Sequence, residues 1–425
     1  MLSSSLSVLV PFLCLLAFAG APDDLLQRYC VARDSIQNQR GLAPGDRETL
    51  AGLYGELSSW SEDNDDPRVT AAELQLAIWL GNLDDAADRF DELTAMLPEN
   101  SGIALARVRF LQERMEADAD ALFADVRHRF PHAAEISVAW AEYLDSKNRF
   151  TDAIAAIEPV ADDPSTHAQL AELYWADNRF DEAIQQIAVI DPAALAADPG
   201  LSTITGRSKD KYEKAQNAWA EESALRDASS DLPQAQILTA RGPITLELFE
   251  DQAPNTVANF ISLAEDGYYD GTLFHRVLPK FMAQGGDPNS RPGAEGSPGS
   301  GGPGYTIADE HTREDHRKHF AGSLSMAKTP APNSAGSQFF LNHVPTPHLD
   351  GQHTVFGRIL SGLDTARSLQ QDDEIVTITV LRKRDHVYEP DRLGLDGKPI
   401  TPQGDIDPLD PTRRPTLKPN TQSTP

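Results

Sequence analysis

Between Phe274 and Gly286 the chain reads FHRVLPKFMAQGG, which sets one arginine, Arg276, among apolar side chains with an amide, Gln284, eight residues on. The set holds no nucleophile, no pair of carboxylates and no metal ligands at useful spacing. It suits a reaction that needs a dry pocket and a single fixed positive charge. Rotation about an X-Pro peptide bond is such a reaction, with an intrinsic barrier of about 18–20 kcal/mol that reflects amide resonance. In the twisted state the proline nitrogen becomes pyramidal and exposes a lone pair, which a nearby guanidinium can hydrogen-bond only then.

Further blocks stand in order around this segment: ITLELF (Ile244 to Phe249), APNTVANF (Ala253 to Phe260), GSLSMAK (Gly322 to Lys328), GSQFF (Gly336 to Phe340) and LDGQHTVFGRI (Leu349 to Ile359). On these blocks and on GYYDGTLFHRVLPKFMAQGGDP (Gly267 to Pro288), the stretch from about Gln236 to Asp385 resembles the cyclophilin family of peptidyl-prolyl cis-trans isomerases. The resemblance implies an isomerase domain over 234–386, built as a mainly-β closed barrel of eight antiparallel strands capped by two helices. It implies Arg276 as the catalytic group, with Gln284 anchoring either the arginine or the substrate carbonyl on the side that does not rotate. Phe281, Met282, Phe340 and Leu349 match the family's proline pocket, Gln338 its groove and His353 the pocket edge. His275 matches a position beside the arginine, where a structural place in the barrel is the other reading. No cofactor and no metal is implied, and the partners would be proline-containing unfolded or partly folded proteins. The sequence departs from the pattern at the pocket rim, where the tryptophan of well-known members falls on His348. The family's substrate-backbone asparagine falls near Lys328, in a stretch to Pro332 that is one residue longer.

These residues need a frame. Strands are expected over Gln236 to Ala240 and Ile244 to Phe249, on either side of Arg241-Gly242-Pro243, and over Glu374 to Leu381, which is β-branched. Val257, Phe260, Ile261 and Ala264 recur at helical spacing, with Gly267 as a stop signal.

Upstream the pattern is helical and repetitive. Pro98, Pro131, Pro164 and Pro192 recur at near-regular spacing, and GNLDDA (Gly81 to Ala86), NRFTDA (Asn148 to Ala153) and NRFDEA (Asn178 to Ala183) repeat one motif. Leu170, Leu173 and Tyr174 share one helix face, a short polar turn follows, and Phe180, Ala183, Ile184 and Ile187 begin a second helix. The pattern resembles tetratricopeptide repeats, placed at 67–192 with the prolines ending the second helix of each pair. Residues 22–66 read as a helical N-terminal segment and 193–233 as a connector helix (Ser208 to Ala228) with a linker at Ser229 to Pro233. The repeats would bind a client or another protein partner, or act only as spacers. The fold class is thus multidomain, an all-α array followed by a mainly-β barrel, as a length of 425 residues suggests.

A net charge of −28 argues against nucleic-acid binding, and most of it lies upstream, where residues 1–233 hold 41 Asp/Glu against 19 Lys/Arg. Residues 1–21 read as a signal peptide, with the apolar run Leu6 to Ala19 and the small-x-small triplet Ala17-Phe18-Ala19. No Lys or Arg precedes that run, so an uncleaved membrane anchor is the rival reading, and either way the protein is expected in the periplasm or cell envelope. Cleavage leaves Cys30 alone, so no internal disulfide framework is expected. The His311, His316 and His319 cluster is flanked by charges and reads as a solvated loop rather than a metal site. Residues 387–425 read as a Pro-rich disordered tail.

Overall fold

The computed structural model describes residues 23–38, 44–114, 118–228 and 230–400. The expected signal peptide and the stretch beyond Ile400 lie outside the described residues. The chain forms two compact units, Met1–Trp140 and Ala141–Pro425. The division falls inside a helix, upstream of the expected linker at 229–233.

The first unit is helical throughout its described residues: α1 (Asp23–Asn38), α2 (Pro44–Ser61), α3 (Pro67–Leu80), α4 (Leu83–Met96), α5 (Ser101–Arg114), α6 (Ala119–Arg129) and the first half of α7 (Ala134–Ser146). The chain reverses between α3 and α4 at Gly81, whose φ of 82° closes the C-terminus of α3. Leu74, Phe90, Leu93 and Phe110 form one apolar cluster, in which the Phe90 and Phe110 rings lie 5.1 Å apart. Tyr29, Leu50, Leu53, Leu57 and Leu76 form another, so α1 and α2 share a core with α3.

The second unit continues the hairpins with α8 (Phe150–Ile157), α9 (Pro164–Ala176), α10 (Phe180–Ala188), α11 (Pro192–Ala197) and the long α12 (Pro199–Ala228). Helix α12 begins well before the Ser208 expected from composition. Of the four spaced prolines, Pro98 and Pro131 follow the C-caps of α4 and α6 as the spacing suggested, whereas Pro164 and Pro192 do not end helices. Pro67, Pro164 and Pro192 each occupy the first turn of a helix, behind Asp66, Asp163 and Asp191, whose carboxylates accept backbone N–H groups. Proline loses nothing at that position, because the N–H it lacks would have had no partner within the helix. Leu170, Leu173, Tyr174, Phe180 and Ala183 are buried, as their spacing predicts.

After α12 the chain enters a nine-stranded antiparallel sheet of order β3-β9-β1-β2-β8-β6-β7-β5-β4. The strands are β1 (Gln234–Thr239), β2 (Gly242–Leu248), β3 (Thr272–Leu273), β4 (Arg276–Leu278), β5 (Met282–Gly285), β6 (Ser323–Met326), β7 (Phe339–Asn342), β8 (Val355–Ser361) and β9 (Glu374–Arg382). The two end strands, β3 and β4, are joined by only Phe274 and His275, so the sheet curls round until its ends meet through the chain. That is a curled half-barrel, with no ladder between β3 and β4 among the described pairings. Helices α13 (Pro254–Glu265) and α14 (Leu363–Ser368) are the two expected caps. Phe260 of α13 is fully buried, with the rings of Tyr269, Phe339 and Phe356 at 5.3, 5.6 and 5.3 Å.

Within this unit the helices and the sheet are fastened by buried polar groups. Arg317, 1% exposed in its side chain, donates to both carboxylate oxygens of Glu222 on α12 at 2.7 and 2.6 Å and lies over the Phe249 ring. Phe320 packs against Trp219 of α12 and Phe180 of α10. The expectation of a solvated loop around the three histidines therefore holds only for its middle, residues 312–316, while Glu310 and His311 at one end and Arg317 and His319 at the other are buried. Arg317 and His319 are buried because α12 covers the one and Asp350 and Ser325 partner the other.

The expected tail boundary at 387 also moves. Tyr388 is buried and donates to Glu250, and Leu393 bridges both Thr306 and Pro399. Residues 387–400 thus return onto the sheet domain, held by long-range pairing that composition does not reveal. No described helix is long and apolar enough to cross a membrane.

Candidate active site

The site is built from strand alternation. In β5, Ala283 turns to the core while Met282 and Gln284 face the other way, and in β7 Phe339 and Leu341 turn inward while Phe340 does not. Register then lines up one row across three strands: Arg276 of β4 opposite Gln284 of β5, and Gln284 opposite Phe340 of β7. Directly opposed residues share a face, so guanidinium, amide and phenyl ring stand side by side. The turn after β5 requires glycine, since Gly286 has φ 80° and a Cβ there would lie 2.7 Å from the Ser337 carbonyl oxygen.

A cavity of about 580 Å³ covers this row. Among its walls are Arg276, Phe281, Met282, Gln284, Gln338, Phe340, Leu349 and His353, which brings eight of the ten expected residues together. The other two stand outside it. His348 stacks on Phe281 at 5.8 Å from the rim. His275 packs under the Gly299 turn, where a Cβ on Gly299 would lie 3.7 Å from the ring; burial pushes its pKa down.

The polar groups have defined partners. Gln284 donates to Gln338 Oε1 at 2.9 Å, and Gln338 donates to the carbonyl oxygens of Gly301 at 2.9 Å and Gly299 at 3.1 Å. The bond to Gln338 uses the Gln284 Nε2 donor and leaves its Oε1 as the acceptor that a guanidinium would need; no Gln284–Arg276 hydrogen bond is among those of the described residues. Arg276 is exposed, with its guanidinium carbon 6.0 Å from the centre of the Phe281 ring, and no ion pair holds it among the described residues. His353 hydrogen-bonds the Met326 carbonyl through Nδ1 at 3.0 Å, which fixes the proton there; burial lowers its pKa, so the ring is neutral near pH 7.

Three features escaped the sequence reading. Asp287 is fully buried and accepts the backbone N–H groups of Gly299, Gly301 and Asn289, folding the glycine-rich loop over the cavity. Lys328, at the cavity wall, pairs with Asp309 at 3.0 Å, both side chains under 10% exposed. Leu395, from the returning C-terminal segment, also lines the cavity although it is 81% exposed. Nothing local marks Asp309 or Leu395, since each meets the site only through long-range folding.

The stretch 234–388 matches the family described as cyclophilin type peptidyl-prolyl cis-trans isomerase/CLD. A peptidyl-prolyl cis-trans isomerase of Synechococcus elongatus is 46% identical over 152 residues, which are 35% of this chain and 97% of that protein. This chain belongs to the cyclophilin family. Peptidyl-prolyl cis-trans isomerase B of Bacillus subtilis is 47% identical over 137 residues, covering 32% of this chain and 90% of the relative. A Helicobacter pylori isomerase is 46% identical over 146 residues, covering 34% and 84%. The cyclophilin domain makes the protein a peptidyl-prolyl cis-trans isomerase. Helices α1 to α12 lie outside the matched stretch.

Proposed function

We propose that Arg276 is the group that lowers the barrier, acting on X-Pro bonds of exported protein clients that the helical array helps to hold. The observation that carries this reading is the row Arg276–Gln284–Phe340, which sets an exposed guanidinium beside an apolar floor of Phe281, Met282, Phe340 and Leu349. The floor buries the pyrrolidine ring and sheds water. As the bond twists, the nitrogen lone pair gains a charged hydrogen-bond donor that the planar amide cannot use, so the gain falls on the transition state. The rigid guanidinium fork can serve the nitrogen while a second N–H holds a neighbouring carbonyl; a lysine offers only a point charge. Gln284, braced by Gln338, is placed to hold the substrate carbonyl on the side that stays still. Each 1.4 kcal/mol or so of such selective binding is tenfold in rate.

The test is a protease-coupled proline-peptide assay on the full chain. Arg276→Ala should reduce kcat/KM by about 10²–10³, as loss of a transition-state donor does elsewhere. Equal rates for the variant and the parent would reduce the cavity to a proline-peptide dock, the rival reading.

The array reading rests on helical hairpins whose first helices start at 67, 101, 134 and 164, a tetratricopeptide-like spacing. Periplasmic or envelope location rests on the signal-like sequence of residues 1–21. Photocrosslinking from α4 of the full chain to an unfolded proline-rich reporter tests client binding. Mass spectrometry of the mature N-terminus tests export. Crosslinks to further copies of the chain alone, or an intact Met1, would remove the respective claim.

A further inference from the structure

The turns of two helical hairpins reach the sheet domain through asparagine. Asn148, between α7 and α8, and Asn178, between α9 and α10, both adopt the left-handed conformation, with φ of 59° and 61°. Asparagine is the side-chain-bearing residue that best tolerates this backbone. Both turns therefore present an amide beyond the end of a helix, and the two amides meet different things.

Asn178 pairs with one peptide position, accepting from Ala321 N at 3.0 Å and donating to Ala321 O at 3.0 Å. That position lies ahead of β6 and touches no residue of the cavity row. Asn148 is 5% exposed, and its Oδ1 accepts the backbone N–H of Lys280 at 2.7 Å. Its Nδ2 lies 3.1 Å from the Arg367 carbonyl and 3.2 Å from His343 Nδ1. The Lys280 donor and the Arg367 carbonyl together fix which way the amide points.

Lys280 is not an arbitrary surface residue. It is the left-handed residue, φ 58°, in the tight turn between β4 and β5. Arg276 lies on one arm of that hairpin, Phe281 in its turn, and Met282 and Gln284 on the other arm. Its own closing bond, Phe281 N to Leu278 O, is long at 3.2 Å, and β4 has only three residues. A second contact from the same helical turn supports it, Lys280 Nζ to Asp145 at 2.5 Å. On the other side, the Phe281 carbonyl accepts from His343 N at 3.0 Å.

We propose that Asn148 is a positioning residue for catalysis: the α7–α8 turn clamps the β4–β5 hairpin and thereby sets Arg276 against the proline pocket. The helical region is then part of the isomerase site rather than an appended module. The proposal rests on Arg276 as the catalytic group. A short edge hairpin frays readily, and small displacements of a catalytic group are expensive in rate. Holding the Lys280 N–H keeps both strands in register.

The twin asparagine supplies the control. Asn148→Gly and Asn178→Gly both keep a left-handed turn and delete only the amide. Both should lower the melting temperature, but only Asn148→Gly should lower kcat, by about tenfold with KM little changed. Equal kcat losses in the two variants, or none in Asn148→Gly, would overturn the proposal. A second measurement on the unaltered chain covers failure of the variant to fold. Amide exchange by NMR should show Lys280 N–H protected as well as the β5 ladder, although the residue is exposed; free exchange there overturns the clamp. A fully active Arg276→Ala would instead sink the assignment of the catalytic group while leaving Lys280 protection intact.

Discussion

Gly81 and Asn148 fill the same place in one repeated motif, GNLDDA in the first unit and NRFTDA in the second, and both take a left-handed backbone. At Gly81 a side chain would meet nothing within 4 Å. At Asn148 the side chain meets a peptide N–H, a carbonyl and an imidazole. The backbone demand is shared, so the repeat alone accounts for a residue that tolerates positive φ. The choice of asparagine over glycine is explained by what lies across the turn. The first turn ends a helix, whereas the second ends a helix and completes the hydrogen bonding of a catalytic hairpin.

The comparison can be broken at several points, the hardest being the buried ion pair beside it. Arg317→Ala strands the Glu222 carboxylate of α12, 8% exposed in its side chain, without its partner, and should destabilise the second unit by about 3–5 kcal/mol. Thermal unfolding of the full chain reads this, and a small shift would mean that helices and sheet are held by apolar packing alone. Acid should act next. Burial, aided by Arg367, lowers the pKa of His343 to about 4, against about 6.5 when unfolded. Between those values the unfolded chain binds more protons. Stability from this ring is therefore complete above pH ~6.5 and declines as pH falls toward ~4, by at most about 3 kcal/mol. Melting temperature measured from pH 7 to pH 5 should fall, and an NMR titration of the His343 ring should show no protonation above pH 5. The mildest case is Gly81→Asn, which keeps the left-handed turn in open space and should shift stability by less than about 0.5 kcal/mol, whereas Gly81→Ala should cost about 1 kcal/mol or more. A large loss in Gly81→Asn would show that the first turn also has an unseen partner.

Much of the cyclophilin domain is legible in the sequence. Adjacent residues of a strand face opposite ways, so once β5 is formed Ala283 and Gln284 lie on opposite faces. Glycine stop signals and apolar spacing likewise place α13. The proline rule misleads, because Pro164 and Pro192 open helices once an aspartate caps them, and the same residue ends one helix or starts the next according to its neighbour. The tail boundary misleads too: Leu393 pairs with Thr306, eighty-odd residues away, and composition carries no trace of that bond.

The sequence by itself determined the chemistry available to this protein. One arginine among apolar residues, with an amide eight residues on, leaves few reactions open, and the order of the blocks names the family. Tertiary structure alone decided what those residues lean on: Gln284 on Gln338, the glycine loop on Asp287, Lys328 on Asp309, and the catalytic hairpin on Asn148. Side-chain direction along a strand follows from local geometry and can be read from spacing. The partner of a buried hydrogen bond depends on which distant segments the fold brings within about 3 Å, and spacing along the chain does not encode that.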